Sequence, residues 1–267
     1  MNPERVRIPI LKDMTSQLIL RSIDRQNAIK TSSSSFQLTF PVEPISGVYA
    51  ITEVSMANAS YNLNVNNTTL IYTDGSTHTI TIPPGFYTPT SLASVIAALM
   101  TTASGTTYTA TVDPNSYIIS IVGTGAFTLN FSQITDFYST NHPVATLAMI
   151  LGFPYGNSDV TSNVSNTIVG TYPVNVNWNS AYYVTIKSGN TTNTRAMFAG
   201  KGGTTVTFPI LIDQGAGSTI IYRPRMTPEV TFKYMNSMEI VISDDSGQTI
   251  NPQGGQIIIV LEKLREC

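Results

Sequence analysis

Charge is scarce in this chain. Asp, Glu, Lys and Arg make up 11% of its 267 residues, against roughly 25% in an average globular protein. Thr, Ser and Asn fill the gap. Such a surface is polar but nearly uncharged, which suits a protein whose faces are covered by neighbours or exposed to harsh solvent. It does not suit a freely diffusing enzyme kept soluble by charge. The net charge of −2 excludes a general electrostatic hold on nucleic acid, and no sequence-specific nucleic-acid partner is expected. Cysteine is nearly absent. Cys267 stands alone at the end, so no disulfide forms within the chain, as in proteins made in a reducing compartment. No apolar run reaches about 18 residues, so no transmembrane segment is expected. The first residues carry Glu4, Arg5 and Arg7 without an apolar core of signal-peptide length, so secretion through a signal peptide is not expected. The Asn-x-Ser/Thr triplets at Asn58, Asn66, Asn67, Asn130, Asn163 and Asn190 are then what a Thr-, Ser- and Asn-rich chain produces by chance.

Reactive side chains are equally sparse. The two histidines, His78 and His142, read as structural: His78 alternates with Ile80 and Ile82, and His142 precedes Pro143 at a helix start. Cys267 lacks an electropositive setting that would activate a thiolate. Asp244 and Asp245 are adjacent and therefore point apart in an extended chain, a poor arrangement for paired acid–base work. A calcium site from Asp213, Asp244 or Asp245 has no EF-hand spacing behind it. Gly200–Thr205 (Gly-Lys-Gly-Gly-Thr-Thr) lacks the G-x-x-x-x-G-K-[ST] order of a phosphate loop. No catalytic, cofactor-binding or metal-binding residue is assigned. Trp178, Tyr182 and Tyr183 are candidate interface or glycan-stacking aromatics, or core side chains.

What is present is asymmetric. Arg5, Arg7, Lys12, Arg21, Arg25 and Lys30 lie in the first 30 residues, and no Lys or Arg follows until Lys187. Residues 1–35 read as a basic N-terminal arm ending in the joint Ser32–Ser35, with Arg5, Arg7, Lys12, Arg21 and Arg25 as candidate inter-subunit contacts. Beyond it, apolar and polar residues alternate. Tyr108, Ala110 and Val112 alternate with threonines, as do Phe127, Leu129 and Phe131 with Thr128, Asn130 and Ser132. Val230, Phe232 and Tyr234 repeat the pattern, each predicting a half-buried strand. Ile257–Leu261 is apolar throughout and predicts a central strand covered on both faces, with Met238–Ile242 as its partner. Two helices are predicted. Thr88 caps the first, Pro89 opens it, and Leu92, Val95, Ile96, Leu99 and Met100 share one face. The second is Val144–Leu151, ended by Gly152. Both fall within 66–159, which therefore reads as an α+β module inserted into a β sandwich made of 36–65 and 160–267.

Several segments, in order, resemble the penton and minor capsid proteins of virophages, polinton-like viruses and related large DNA viruses of eukaryotes. They are Leu20-Arg21-Ser22-Ile23-Asp24-Arg25 before Phe36–Phe40, then Tyr49–Met56 closing on Tyr61-Asn62-Leu63. Ile80-Thr81-Ile82-Pro83-Pro84-Gly85-Phe86-Tyr87 then leads directly into a helix, and Leu151-Gly152-Phe153 follows. The last is Asp244, Asp245 and Gly247 between two terminal strands. Ala57-Asn58-Ala59 departs from the Pro-Asn form of that family. The resemblance implies an antiparallel jelly roll, no enzymatic activity, and a virion location after synthesis in the host cytoplasm or nucleus. It implies assembly as a homopentamer closing five-fold vertices, with the major capsid protein as second partner and the 66–159 module outward. Three other readings compete: a minor capsid or cement protein, a fibre-type protein binding a glycan or receptor, and a β-sandwich glycosidase, which would need two opposed carboxylates.

Overall fold

The computed structural model describes residues 17–21, 35–39, 45–58, 61–141, 143–154, 158–188, 205–212, 218–224, 228–235, 237–250 and 256–265. The described chain is mostly β, in several antiparallel sheets with few helices.

Two of these sheets belong to the sequence ends. The chain opens with β1 (Gln17–Arg21), β2 (Ser35–Thr39) and the long β3 (Ile45–Ala57), and closes with β11 (Ala181–Ser188), β12 (Thr205–Leu211), β13 (Thr219–Tyr222), β14 (Glu229–Met235), β15 (Ser237–Ser243) and β16 (Ile257–Arg265). One sheet runs β1-β16-β3, with β13 and β14 sharing the far edge of β3. The other runs β12-β11-β15-β2. Every pairing is antiparallel. Alternate residues point inward and make one core: Ile257, Ile259 and Leu261 from β16, Met238, Ile240 and Ile242 from β15, Val184 and Ile186 from β11, and Val206, Phe208 and Ile210 from β12. On β3 the inward set changes parity, from Tyr49 and Ile51 to Val54 and Met56. The register with β16 shifts at that point, between Val260 and Leu261. Thr52 is the extra residue of this β-bulge, and its hydroxyl donates to the Val260 carbonyl at 3.2 Å.

Three expectations change here. Met238–Ile242 and Ile257–Leu261 do not pair; they lie in opposite sheets and meet only through the core. Ile257–Leu261 is central but fully buried on one face, since Ile258 and Val260 are only partly covered. An all-apolar run fits such a strand as well as a doubly covered one, so sequence alone does not separate them. Residues 17–21, inside the expected arm, form a sheet edge against β16, with Leu20 buried in the core. Their short Leu18/Leu20 alternation is masked by the flanking charges.

Residues 61–178 build a second core. Its elements are β4 (Thr69–Thr73), β5 (Thr77–Thr81), α1 (Pro89–Ser104), β6 (Tyr108–Val112), β7 (Ile119–Gly123), β8 (Thr128–Leu129), α2 (Phe137–Asn141), α3 (Leu147–Ile150), β9 (Val160–Thr161) and β10 (Thr167–Val169). They form the sheets β5-β4-β8-β9 and β10-β7-β6. The core shares no residue with that of the sandwich, and it reaches past the 66–159 window to include Leu63, Ile168, Val174, Val176 and Trp178. Helix α1 begins as its sequence predicts. Thr88 accepts from the Ser91 amide at 3.1 Å, and the Ser91 hydroxyl accepts from the Thr88 amide at 2.9 Å. It ends at Ser104, four residues beyond Met100, and Gly105 caps it in the left-handed conformation.

The other predicted helix is divided. Pro143–Ala145 forms a 3-10 turn, Thr146 stands extended as a cap that accepts from the Met149 amide, and α3 follows. A Thr side chain that captures a nearby amide favours a cap over a helix interior. The Phe127–Phe131 strand is cut to Thr128–Leu129, because Phe131–Gln133 turns into a 3-10 helix. Asp159 fixes that turn by accepting from the Ser132 amide at 3.0 Å. Gly152 is needed where it stands: its φ is +81°, and a Cβ there would lie 2.0 Å from the Tyr172 carbonyl oxygen.

Candidate interaction surfaces

The titratable groups assemble into structural clamps. In the β4–β5 hairpin, Asp74 accepts from the Tyr108 hydroxyl at 2.8 Å and lies 2.9 Å from His78 Nε2. The His78 ring stacks on Tyr72. Burial raises the Asp74 pKa, but hydrogen bonds from Tyr108, Ser104 and Thr106 and the nearby imidazole outweigh it and hold the group below the usual carboxylate range. Burial and the same carboxylate push Tyr108 up. These contacts close the hairpin over β6. Asp136 behaves oppositely. Its Oδ1 accepts from the Ser139 amide at 2.8 Å, while its Oδ2 is buried without a hydrogen-bond partner. Burial therefore raises its pKa. It borders an open depression lined also by Thr69, Ile71, Gln133, Ile134 and Thr135.

Asp244 and Asp245 sit in the turn after β15. Asp244 is buried, and its Oδ1 accepts from the Ser246 amide and hydroxyl and the Gln248 amide. Its Oδ2 accepts from the Tyr138 hydroxyl at 2.8 Å. Among the described residues, no group of three His, Cys, Asp or Glu side chains is placed to hold a metal ion. His142, Asp213, Cys267 and the glycine-rich loop at 200–204 lie outside the described residues, as do Arg5, Arg7, Lys12 and Arg25. Arg21 ends β1 with an exposed side chain. No described helix is long and apolar enough to cross a membrane.

The three candidate aromatics separate. Trp178 is 7% exposed and packs on Tyr138, its Nε1 donating to the Asn62 carbonyl at 2.7 Å. Tyr182 is 2% exposed, its hydroxyl donating to Asn58 Oδ1 at 3.0 Å. Both rings are core here. Tyr183 points the other way, on the outer face of its sheet beside Pro209 and Ser243. Of the Asn-x-Ser/Thr triplets, Asn58, Asn67 and Asn130 are buried.

Sequence reasoning missed a polar joint between the two cores. Tyr138 belongs to the core of 61–178 and Asp244 to the last turn of the sandwich, so their bond crosses from one to the other. Burial, with the Asp244 carboxylate beside it, holds the phenol well above its ordinary pKa. Asn64 Nδ2 donates to the same phenol oxygen at 2.9 Å. Asn67, fully buried, accepts from the Asn64 amide and donates to the Ala145 carbonyl. Asn62 brackets Tyr87, accepting from its amide and donating to its carbonyl. Nothing local marks this Asn run, because its partners Tyr138 and Ala145 lie 74 and 78 residues away.

Comparison with known proteins adds little sequence support. No protein-family model matches the chain, and no curated protein matches it. Among solved structures, the crystal structure of the selenomethionine-labelled mavirus penton protein is similar at 10% identity and a TM-score of 0.45, over 93% of this chain and 99% of that one.

Proposed function

We propose that the chain is a structural capsid protein, the penton subunit that closes five-fold vertices as a homopentamer in contact with the major capsid protein. The observation that carries this reading is strand order. Counting β13 and β14 as one segment, the described residues of the sandwich form eight segments, ordered 1-8-3-6 in one sheet and 2-7-4-5 in the other. This order supports reading the sandwich as a jelly roll, two Greek keys wound together. Fold alone does not give function. The likeness of the sequence motifs to those of capsid proteins and the charge-poor composition point the same way. The body 61–178 enters between the third and fourth segments, and we place it outward as a vertex tip, with the basic arm inward. Cryo-electron microscopy of particles carrying a tag at the exposed Val164 turn tests this. The tag should appear as five copies on the outside of each vertex. Density under the facets would favour the cement-protein reading instead.

A further inference from the structure

Both outer faces of the sandwich carry apolar rows. On the β1-β16-β3-β13 sheet, Ile19 stands opposite Val260, while Ile258 and Ile221 both stand opposite Ser55. Ile19 is 54% exposed and Ile221 56%. These are outward positions, which polar residues occupy when a sheet meets water on one side. The run Ile257–Leu261 has the composition of a doubly covered strand, yet the chain fully covers one side of it. On the opposite sheet, Tyr183 stands across from Pro209, Val241 across from Thr185, and Leu211 is 64% exposed. Each face also carries an ion pair, Arg223–Glu53 at 2.9 Å on the first and Lys187–Glu239 at 3.6 Å on the second. Each pair is neutral in itself and so selects no strongly charged partner.

We infer that the outer face of the β1-β16-β3-β13 sheet in one copy packs on the outer face of the β12-β11-β15-β2 sheet in the next. This rests on the homo-oligomer reading and names the surfaces that would make the ring. The reason for a head-to-tail contact is that, among the described residues, both outer faces of one sandwich carry exposed apolar positions, Ile19 and Ile221 on one and Leu211 on the other. A two-fold contact would use one face and leave the other in water, whereas a head-to-tail contact covers both and closes into a ring.

Sedimentation velocity on the full chain tests the pairing, with Ile221→Lys on one face, Leu211→Lys on the other, and Val169→Lys on the exposed face of the β10-β7-β6 sheet as control. Each of the first two should weaken self-association at least about thirtyfold, the loss expected at an interface hot spot. The control should assemble as wild type. Mixing Ile221→Lys with Leu211→Lys should give heterodimers and no rings, because each retains the face that the other lacks. All three positions are largely exposed, and circular dichroism should show native folding. Ile221→Thr and Leu211→Thr, which add no charge, should weaken association by a smaller factor. If wild type forms rings and both Lys variants do too, other surfaces make the contact and the inference fails while the oligomer reading stands. If only Ile221→Lys dissociates, the contact is two-fold and the inference fails. If wild type stays monomeric at about 100 µM, the oligomer reading fails as well.

Discussion

At the scale of single residues, two aspartates are set against each other. Asp74 is held below its unfolded pKa of about 3.9, so it contributes stability above that pH and loses it as pH falls through the folded value. Asp74→Asn should cost about 1.5–3 kcal/mol at pH 7, the range for hydrogen bonds to a charged group. The gap to wild type should narrow in thermal melts taken toward pH 3. Asp136 has the opposite sign. Its folded pKa is raised, so its contribution is present below the unfolded value and lost as pH rises through the folded one. Asp136→Asn keeps the bond to the Ser139 amide and removes a buried charge. It should therefore stabilise the protein at pH 7, by on the order of 1 kcal/mol, with the gain vanishing in melts near pH 4. A destabilised variant at pH 7 would show that the unpartnered oxygen is satisfied in solution. Neither role is legible in sequence, where both are Asp beside polar turn residues. The sign depends on which donors the fold brings to each oxygen.

At the scale of elements, local chemistry was readable wherever the partners are close in sequence. Thr88, Pro89 and Ser91 announce α1, and its apolar face follows from helical spacing. The Gly152 stop was equally plain, although the closeness of Tyr172 that makes it necessary comes from twenty residues away. Strand edges were harder. Residues 17–21 are short and flanked by charge, and their pairing with β16 spans nearly the whole chain. This pairing sets an expected outcome for truncation. Removing residues 1–16 should leave the midpoint of urea unfolding nearly unchanged. Removing 1–21 uncovers the β16 edge and deletes buried Leu20, a side chain whose loss alone costs about 2–5 kcal/mol. The longer deletion should thus fold poorly or aggregate through its open edge. Equal midpoints for the two truncations would mean that β1 does not hold the sheet.

At the scale of the whole molecule, the sequence clusters both predicted helices in one stretch, and the described residues there build a core of their own. The sequence did not disclose how this body is fixed. The Tyr138–Asp244 bond joins groups 106 residues apart, and no pattern marks either. Tyr138→Phe should cost about 1–3 kcal/mol, since it leaves a buried carboxylate oxygen one donor short. A double-mutant cycle with Asp244→Asn should return a coupling of at least about 0.5 kcal/mol. Additive effects would mean that the two cores are held together elsewhere. The pairing of Met238–Ile242 with Ile257–Leu261 was misread for a related reason. Two apolar runs joined by a turn suggest a hairpin, but the strand order sends them to opposite sheets, and only the long-range ladders with β3 and β11 decide it.

The central claim is that this chain functions by assembling with copies of itself. Native mass spectrometry of the purified, full-length protein measures that directly. The account predicts a dominant species of five chains at micromolar concentration, dissociating to folded monomers as the protein is diluted. A protein that stays monomeric at every concentration would contradict it.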